Sequence, residues 1–274
     1  MSEDAVNERL EVANRIAKSA GQIARKYFRT DQFSVDYKDD GSPLTIADRE
    51  SEAHLREQIE LAFPDDAIVG EEFADKAGRS GFGWILDPID GTKSFIAGVP
   101  LFGTMVAVEE TTNNESSAEP AERNAVIGSV YFPGLDEGVY AARGQGAFSF
   151  QGDSPPVAAQ VSNKSELDKS VLVTTCVPTF AERGASEVYA ALAEKFYFTR
   201  TWGDVYGYFL VATGRAEVMI DPILSVWDAA AVQPIIVEAG GRFSDWKGRS
   251  NIDGGDAVGS NGVIHDTVLD FLNR

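Results

Sequence analysis

Residues 84–95 read WILDPIDGTKSF, an apolar strand that runs straight into Asp87 and Asp90, which are separated by a proline-led turn. Carboxylates on the end of a strand are aimed by a rigid element. This spacing lets both converge on one point, with the Ile89 carbonyl facing the same way. Hard oxygen donors of that kind suit Mg2+. Gly91 and Thr92 follow, and their backbone N–H groups open a predicted helix whose positive end favours a phosphate oxygen. Taken singly, Asp-Pro and Asp-Gly are also ordinary turn dipeptides. Two other places change that balance. Glu71 and Glu72 follow the short apolar run AIVG, and Asp228 follows Trp227 at the start of another predicted helix. Alone, the glutamates fit a solvated loop and Asp228 fits an N-cap. Together, these acidic strand and helix ends fit a shared cation.

Other phosphate chemistries fit less well. Cys176 precedes Arg183 by one residue too many for the Cys-x5-Arg loop of thiol phosphatases. Asp87 and Asp90 lack the Asp-x-Asp spacing of an aspartyl-phosphate enzyme. The 2 histidines, His54 and His265, have no other candidate ligand nearby and read as structural or surface residues rather than zinc ligands.

The elements that must position these acids are legible. Leu10, Ala13, Ala17, Ala20, Ala24 and Tyr27 recur at helical spacing after Val6. Thr45 and Asp48 match a capping box at the start of a second helix. Short β-branched and aromatic runs follow, at Ala67–Gly70, Trp84–Leu86, Thr104–Val108, Val126–Phe132, Gly138–Ala142 and Ala147–Phe150. They predict a large, mainly antiparallel sheet. Residues 111–124, TTNNESSAEPAERN, have the composition of an exposed mobile loop. After Val161 the pattern alternates between strand and helix. Strands are expected at Ser170–Thr175, Glu217–Ile220, Arg242–Trp246 and Ala257–Ser260. Helices are expected around Ala185–Glu194, at Asp204–Thr213, from Trp227 to Ala239 with a bend at Pro234, and from His265. We divide the chain into an N-terminal α+β lobe, 1–160, and a C-terminal α/β lobe, 161–274, forming one catalytic unit.

Composition narrows the partners. Lys+Arg 24 against Asp+Glu 43 gives a formal charge of -19, which disfavours nucleic acid and anionic membrane surfaces. With 43% hydrophobic and 10% aromatic residues the chain is ordinary for a globular protein. The single cysteine suits a reducing compartment, and no stretch reads as a secretory signal or a membrane span. A soluble cytoplasmic protein is expected.

The motifs GEE at 70–72, DPIDGT at 87–92, WDAAA at 227–231 and EAGG at 238–241 together resemble the inositol monophosphatase superfamily of lithium-sensitive, Mg2+-dependent phosphatases. The resemblance runs from Lys38 to Asn261. It implies a layered αβαβα sandwich, α+β or α/β in class, of the inositol monophosphatase and fructose-1,6-bisphosphatase type, and a homodimer. By the same resemblance, Glu71, Asp87, the Ile89 carbonyl, Asp90 and Asp228 hold two or three Mg2+. Thr92 and Asp48 orient the attacking water, whose proton goes to Glu71 or to that pair. Gly91 and Thr92 also bind phosphate, and Asp90 and Asp228 belong with them to the substrate- and phosphate-binding set, the metal near Asp228 stabilising the leaving alkoxide. Lys38 stands at the entrance, just before a glycine-containing mobile loop.

The segment TWGDVYGYFLVATG resembles the histidinol-phosphate phosphatases of this superfamily, and Asp204 is its decisive position. An acid there would attract the ammonium and imidazole groups of histidinol phosphate. Asp221 matches a position where many members carry a substrate-touching Glu. Asp204 equally fits a helix cap, and Asp221 before Pro222 equally fits a turn. The expected activity is hydrolysis of a small phosphorylated alcohol, L-histidinol phosphate first. The alternatives are an inositol or sugar phosphate phosphatase and a catalytically silent scaffold that binds metal or phosphate.

Overall fold

The computed structural model describes residues 2–30, 34–38, 41, 43–110 and 123–274. Residues 111–122 of the expected loop, and 39–40 and 42 of the loop after Lys38, lie outside the described residues.

Helix α1 (Glu3–Tyr27) begins at Ser2, whose hydroxyl accepts the Ala5 N–H. Its buried face is mostly small, Ala13, Ala17, Ala20, Gly21 and Ala24, which lets the helix lie close to the sheet beneath it. A short hairpin, β1 (Val35–Tyr37) and β2 (Pro43–Thr45), leads into α2 (Ile46–Ala62). The capping box is present: Thr45 Oγ accepts the Ala47 N–H, and the Thr45 N–H donates to Asp48 Oδ2 at 2.7 Å.

The chain then builds β3 (Ala67–Gly70), β4 (Phe82–Asp90), the short helix α3 (Thr92–Ile96), β5 (Gly103–Glu110), β6 (Ala125–Phe132), β7 (Glu137–Ala142), β8 (Ala147–Gln151) and β9 (Val157–Ala158). These seven strands form one sheet in sequence order, with β3 parallel to β4 and every later pair antiparallel. Every residue of β4 is buried, because the sheet is covered on both faces. Trp84 and Leu86 enter the core under α1 and α2, and Ile85 enters the core on the other side.

The remainder comprises β10 (Val171–Val173), α4 (Val177–Glu182), α5 (Ser186–Lys195), β11 (Phe198–Arg200), α6 (Val205–Ala212), β12 (Val218–Asp221), α7 (Val226–Ala230), α8 (Val232–Glu238), β13 (Arg242–Ser244), β14 (Ala257–Ser260) and α9 (His265–Leu272). A second, five-stranded sheet has the order β11-β10-β12-β14-β13. Strands β11, β10 and β12 are parallel, and β14 and β13 are antiparallel additions. Helices α6, α7 and α8 lie between the sheets in one shared core, while α4, α5 and α9 cover the outer face of the second. The layers are therefore α, β, α, β, α, as expected.

One helix differs from expectation. The run from Trp227 to Ala239 forms two helices, α7 and α8, divided at Ala231. Pro234 lacks the N–H that would bond the Ala230 carbonyl, so the ladder is interrupted rather than merely bent. At the break the Ala231 carbonyl rests against Gly128 of β6, where an added Cβ would lie 2.0 Å away. The elements β1, β2, α4 and β11 are too short to show a readable period. Among the described residues no helix is long and apolar enough to cross a membrane.

Candidate active site

Strand β4 ends in an irregular register. Its pairing with β5 is regular through Asp87 and then shifts, so that Asp90 pairs with Gly103. In an unbroken strand, residues three apart face opposite sides. The irregularity turns Asp87 and Asp90 into the same cleft. Local bonds pin it: Thr104 Oγ donates to the Pro88 carbonyl at 2.8 Å, and the Ile89 N–H donates to Asp87 Oδ1 at 3.0 Å. The Ile89 side chain anchors the turn from behind, buried with Phe95 and Phe102. Gly91 then adopts φ +83, and a Cβ there would approach the Leu101 carbonyl and an Asp204 carboxylate oxygen at 3.1 Å each. Only glycine suits both demands.

Asp228 joins the two aspartates. It occupies the third position of α7 rather than the N-cap, which is Ser225, and its Oδ2 accepts the Ser225 N–H at 2.7 Å. One carboxylate oxygen from each of Asp87, Asp90 and Asp228 lies within 4.8 Å of the others. Asp87 is 1% exposed and Asp90 8% exposed. Burial, followed by repulsion from Glu71, Asp90 and Asp228, pushes the Asp87 carboxyl well above its ordinary range. Burial, followed by Asp204 and Asp228, does the same to Asp90, although the Val205 N–H donates to it. Asp228 rises to about 7, chiefly through burial. Two ionised carboxylates at such a separation repel by roughly 3 kcal/mol at an effective dielectric of about 20. An all-oxygen, close-set trio of this kind fits a hard divalent cation, which would replace that repulsion with attraction.

Glu71 lies on the same cleft, but its Oε1 accepts from Lys38 Nζ at 2.7 Å, and Lys38 Nζ also donates to Glu72 Oε1 at 2.7 Å. Burial of Lys38 opposes its charge, yet the bonds to both glutamates win and its pKa is raised. Burial pushes Glu72 up to about 7, against the pull of Lys38. The loop itself is fixed from α2. Glu52, fully buried, accepts the Glu72 N–H at 2.8 Å and the Arg56 Nε–H at 2.7 Å. Arg56 also donates to the carbonyls of Phe73 and Ala74.

Asp48 and Thr92 are not bonded to each other. Asp48 Oδ2 accepts from both the N–H and the hydroxyl of Thr45, and Thr92 Oγ donates to the Ile89 carbonyl at 3.0 Å. Burial raises Asp48 to about 6.

The cleft encloses about 380 Å³ and is also lined by Asp204 and Asp221, with Asp204 close to Gly91. Asp204 stands at the N-cap position of α6 but makes no capping bond, so the cap alternative is not realised. Its φ of 51 and ψ of -156 fall in a region that L residues rarely adopt. The Asp204 N–H donates to Thr175 Oγ at 2.9 Å. Burial and the neighbouring Asp221 raise Asp204 to about 7, while Lys93 opposes the shift. Asp221 is not an exposed turn residue. It ends β12, is 5% exposed, and accepts from the Thr175 N–H and the Tyr208 hydroxyl. Sequence reasoning did not single out Thr175 or Tyr208. Thr175 follows a strand end, as the acids do, whereas Tyr208 sits in an apolar run that reads as core.

Arg183 donates to Asp256 and the Pro222 carbonyl and covers Trp246. His54 bonds Ser19, and fully buried His265 lies between Ser244 and Ser260.

The family model described as "Inositol monophosphatase family" matches residues 5–270. A histidinol-phosphatase of Chlorobaculum parvum is 41% identical over 261 residues, covering 95% of this chain and 95% of that protein. A histidinol-phosphatase of Mycobacterium tuberculosis is 35% identical over 264 residues, 96% of this chain and 97% of the other. Among solved structures, an inositol monophosphatase from Zymomonas mobilis superposes with a TM-score of 0.80 at 28% identity and covers 100% of both chains.

Proposed function

The chain belongs to the inositol monophosphatase family, and from that premise we propose that it is a Mg2+-dependent phosphomonoesterase that hydrolyses L-histidinol phosphate to histidinol and inorganic phosphate. The reaction class rests on one observation, the trio of Asp87, Asp90 and Asp228 set beside the first turn of α3. The substrate reading is supported by the acidic pair Asp204 and Asp221, which line the same cleft. The names of the two full-length relatives point the same way.

Asp87, Asp90, Asp228, Glu71 and the Ile89 carbonyl would hold the cations. Bound divalent cations neutralise the ester's charge and strengthen water as a nucleophile. The chain's own groups do the rest. The N–H groups of Gly91 and Thr92 receive phosphate oxygens. Glu71 takes the proton of the attacking water once its carboxylate parts from Lys38. The role given to Asp48 and Thr92 in orienting that water requires the Thr92 hydroxyl to turn from the Ile89 carbonyl. Water supplies the hydroxyl that stays on phosphorus, the bond from phosphorus to the alcohol oxygen breaks, and the alcohol leaves protonated. Asp204 and Asp221 attract the ammonium and imidazole groups of that alcohol.

A substrate panel with Mg2+ titration tests the reading. Histidinol phosphate should give the highest kcat/KM, above inositol 1-phosphate and sugar phosphates. Asp204→Asn should lower that value more than it lowers activity on inositol phosphate, and equal losses would reject the substrate assignment. If no ester releases phosphate with Mg2+, the silent-scaffold reading takes its place. We also propose a cytoplasmic homodimer, which light scattering of the purified protein would check. Finally, we propose that 1–160 and 161–274 act as one catalytic unit, a reading supported by the core that the two sheets share.

A further inference from the structure

Tyr208 is 2% exposed, yet it forms part of the cleft wall. Its hydroxyl donates to Asp221 Oδ2 at 3.0 Å, while the Thr175 N–H donates to Asp221 Oδ1 at 3.2 Å. Each oxygen of that carboxylate is thus held by a separate donor, and the plane of the group is fixed. The tyrosine ring is itself closely packed. It packs near Phe243 and directly over Gly259, where an added Cβ would come within 2.9 Å of it. An ionised carboxylate has about four lone-pair sites, and with the Thr175 hydroxyl also acting on Asp221, about one remains for a ligand. The phenol oxygen, having donated its proton, can accept as well. Burial raises Asp221 only to about 6 and raises Tyr208 further above its ordinary value. An ionised Asp221 beside the phenol presents a row of acceptors with no free donor.

We infer that Tyr208 is a specificity-determining positioning residue, whose hydroxyl locks Asp221 so that the pair accepts the N–H groups of a cationic leaving alcohol. This rests on the reading that the substrate is an amino-alcohol phosphate. A neutral ester would gain little from the pair, because hydrogen bonds from a charged donor are about twice as strong as neutral ones.

Tyr208→Phe keeps the ring and removes the lock. In the Mg2+-loaded enzyme it should raise KM for histidinol phosphate by about 5- to 10-fold, with kcat almost unchanged. The calorimetric affinity for histidinol should fall by the same factor. KM for p-nitrophenyl phosphate should stay within about twofold. In an Asp221→Asn background the substitution should add nothing, since the two residues act as one unit. Equal KM shifts on both esters, or additive effects in the double variant, would overturn the inference. So would an unaltered preference for histidinol phosphate in Tyr208→Phe, and that result leaves the substrate reading standing. A parent enzyme with no such preference overturns both.

Discussion

Asp87 and Asp221 each lie at or near the end of a strand, each is almost inaccessible to solvent, and both face one cleft, yet their neighbours differ. Asp221 is 5% exposed and has a donor on each oxygen, the Thr175 N–H and the Tyr208 hydroxyl. Asp87 is 1% exposed and faces Glu71, Asp90 and Asp228, with the Ile89 N–H as its protein donor. The first is a satisfied acid whose orientation is set before any ligand arrives. The second is part of a set whose ionised form is costly until a cation enters. Within this cleft, the acid with a donor on each oxygen is suited to recognition, and the acid left facing other carboxylates calls for a cation.

The sharpest way to break this comparison is Asp87→Asn. It should lower kcat/KM on the order of 10³-fold, while raising the melting temperature of the metal-free protein through relief of repulsion. Normal turnover in that variant would refute the metal assignment. Next is Glu52→Gln, which disturbs the brace on the Glu71–Glu72 loop without touching the cleft. Weakening of Mg2+ activation by about 10- to 100-fold is expected, with little change in KM at saturating Mg2+. Among the acids with donors, Thr175→Val removes the acceptor of the Asp204 N–H and the hydroxyl that acts on Asp221, keeping only the backbone N–H for Asp221. KM for the amino-alcohol ester should rise about fivefold, with Mg2+ activation unaltered.

The smallest effect is on stability against pH. Asp228 and Asp204 have folded values of about 7, and Asp48 and Asp221 of about 6, all above the ordinary carboxylate range. Between about pH 4 and pH 7 the folded state therefore binds more protons than the unfolded state, so metal-free stability falls as pH rises. His265, held near 4 by burial, works in the opposite direction below about pH 6.5. Scanning calorimetry of the metal-free protein should show a lower melting temperature at pH 8 than at pH 6. A flat profile would mean that burial does not raise these carboxyls.

Much of the metal side was legible because its information is local. The acids of DPID end a strand that periodicity identifies, and Thr45 with Asp48 spell a capping box. The substrate side was less so. Tyr208 lies in GYFLVA, whose apolar pattern conceals a hydroxyl aimed at a strand end thirteen residues later. The backbone of Asp204 depends on Thr175, from a distant segment. The salt bridges of Lys38 to Glu71 and Glu72 join residues more than thirty positions apart, which no local pattern reveals. The break at Ala231 follows from Pro234 together with contact against Gly128, and only the proline is visible locally.

The bond from the Val205 N–H to Asp90 has a mechanical consequence. Asp90 ends a strand of the larger sheet, and Val205 begins a helix packed on the smaller one, so the floor of the cleft is sewn across. Such a cleft has no hinge along its floor, and swinging its halves apart would unseat a candidate metal ligand.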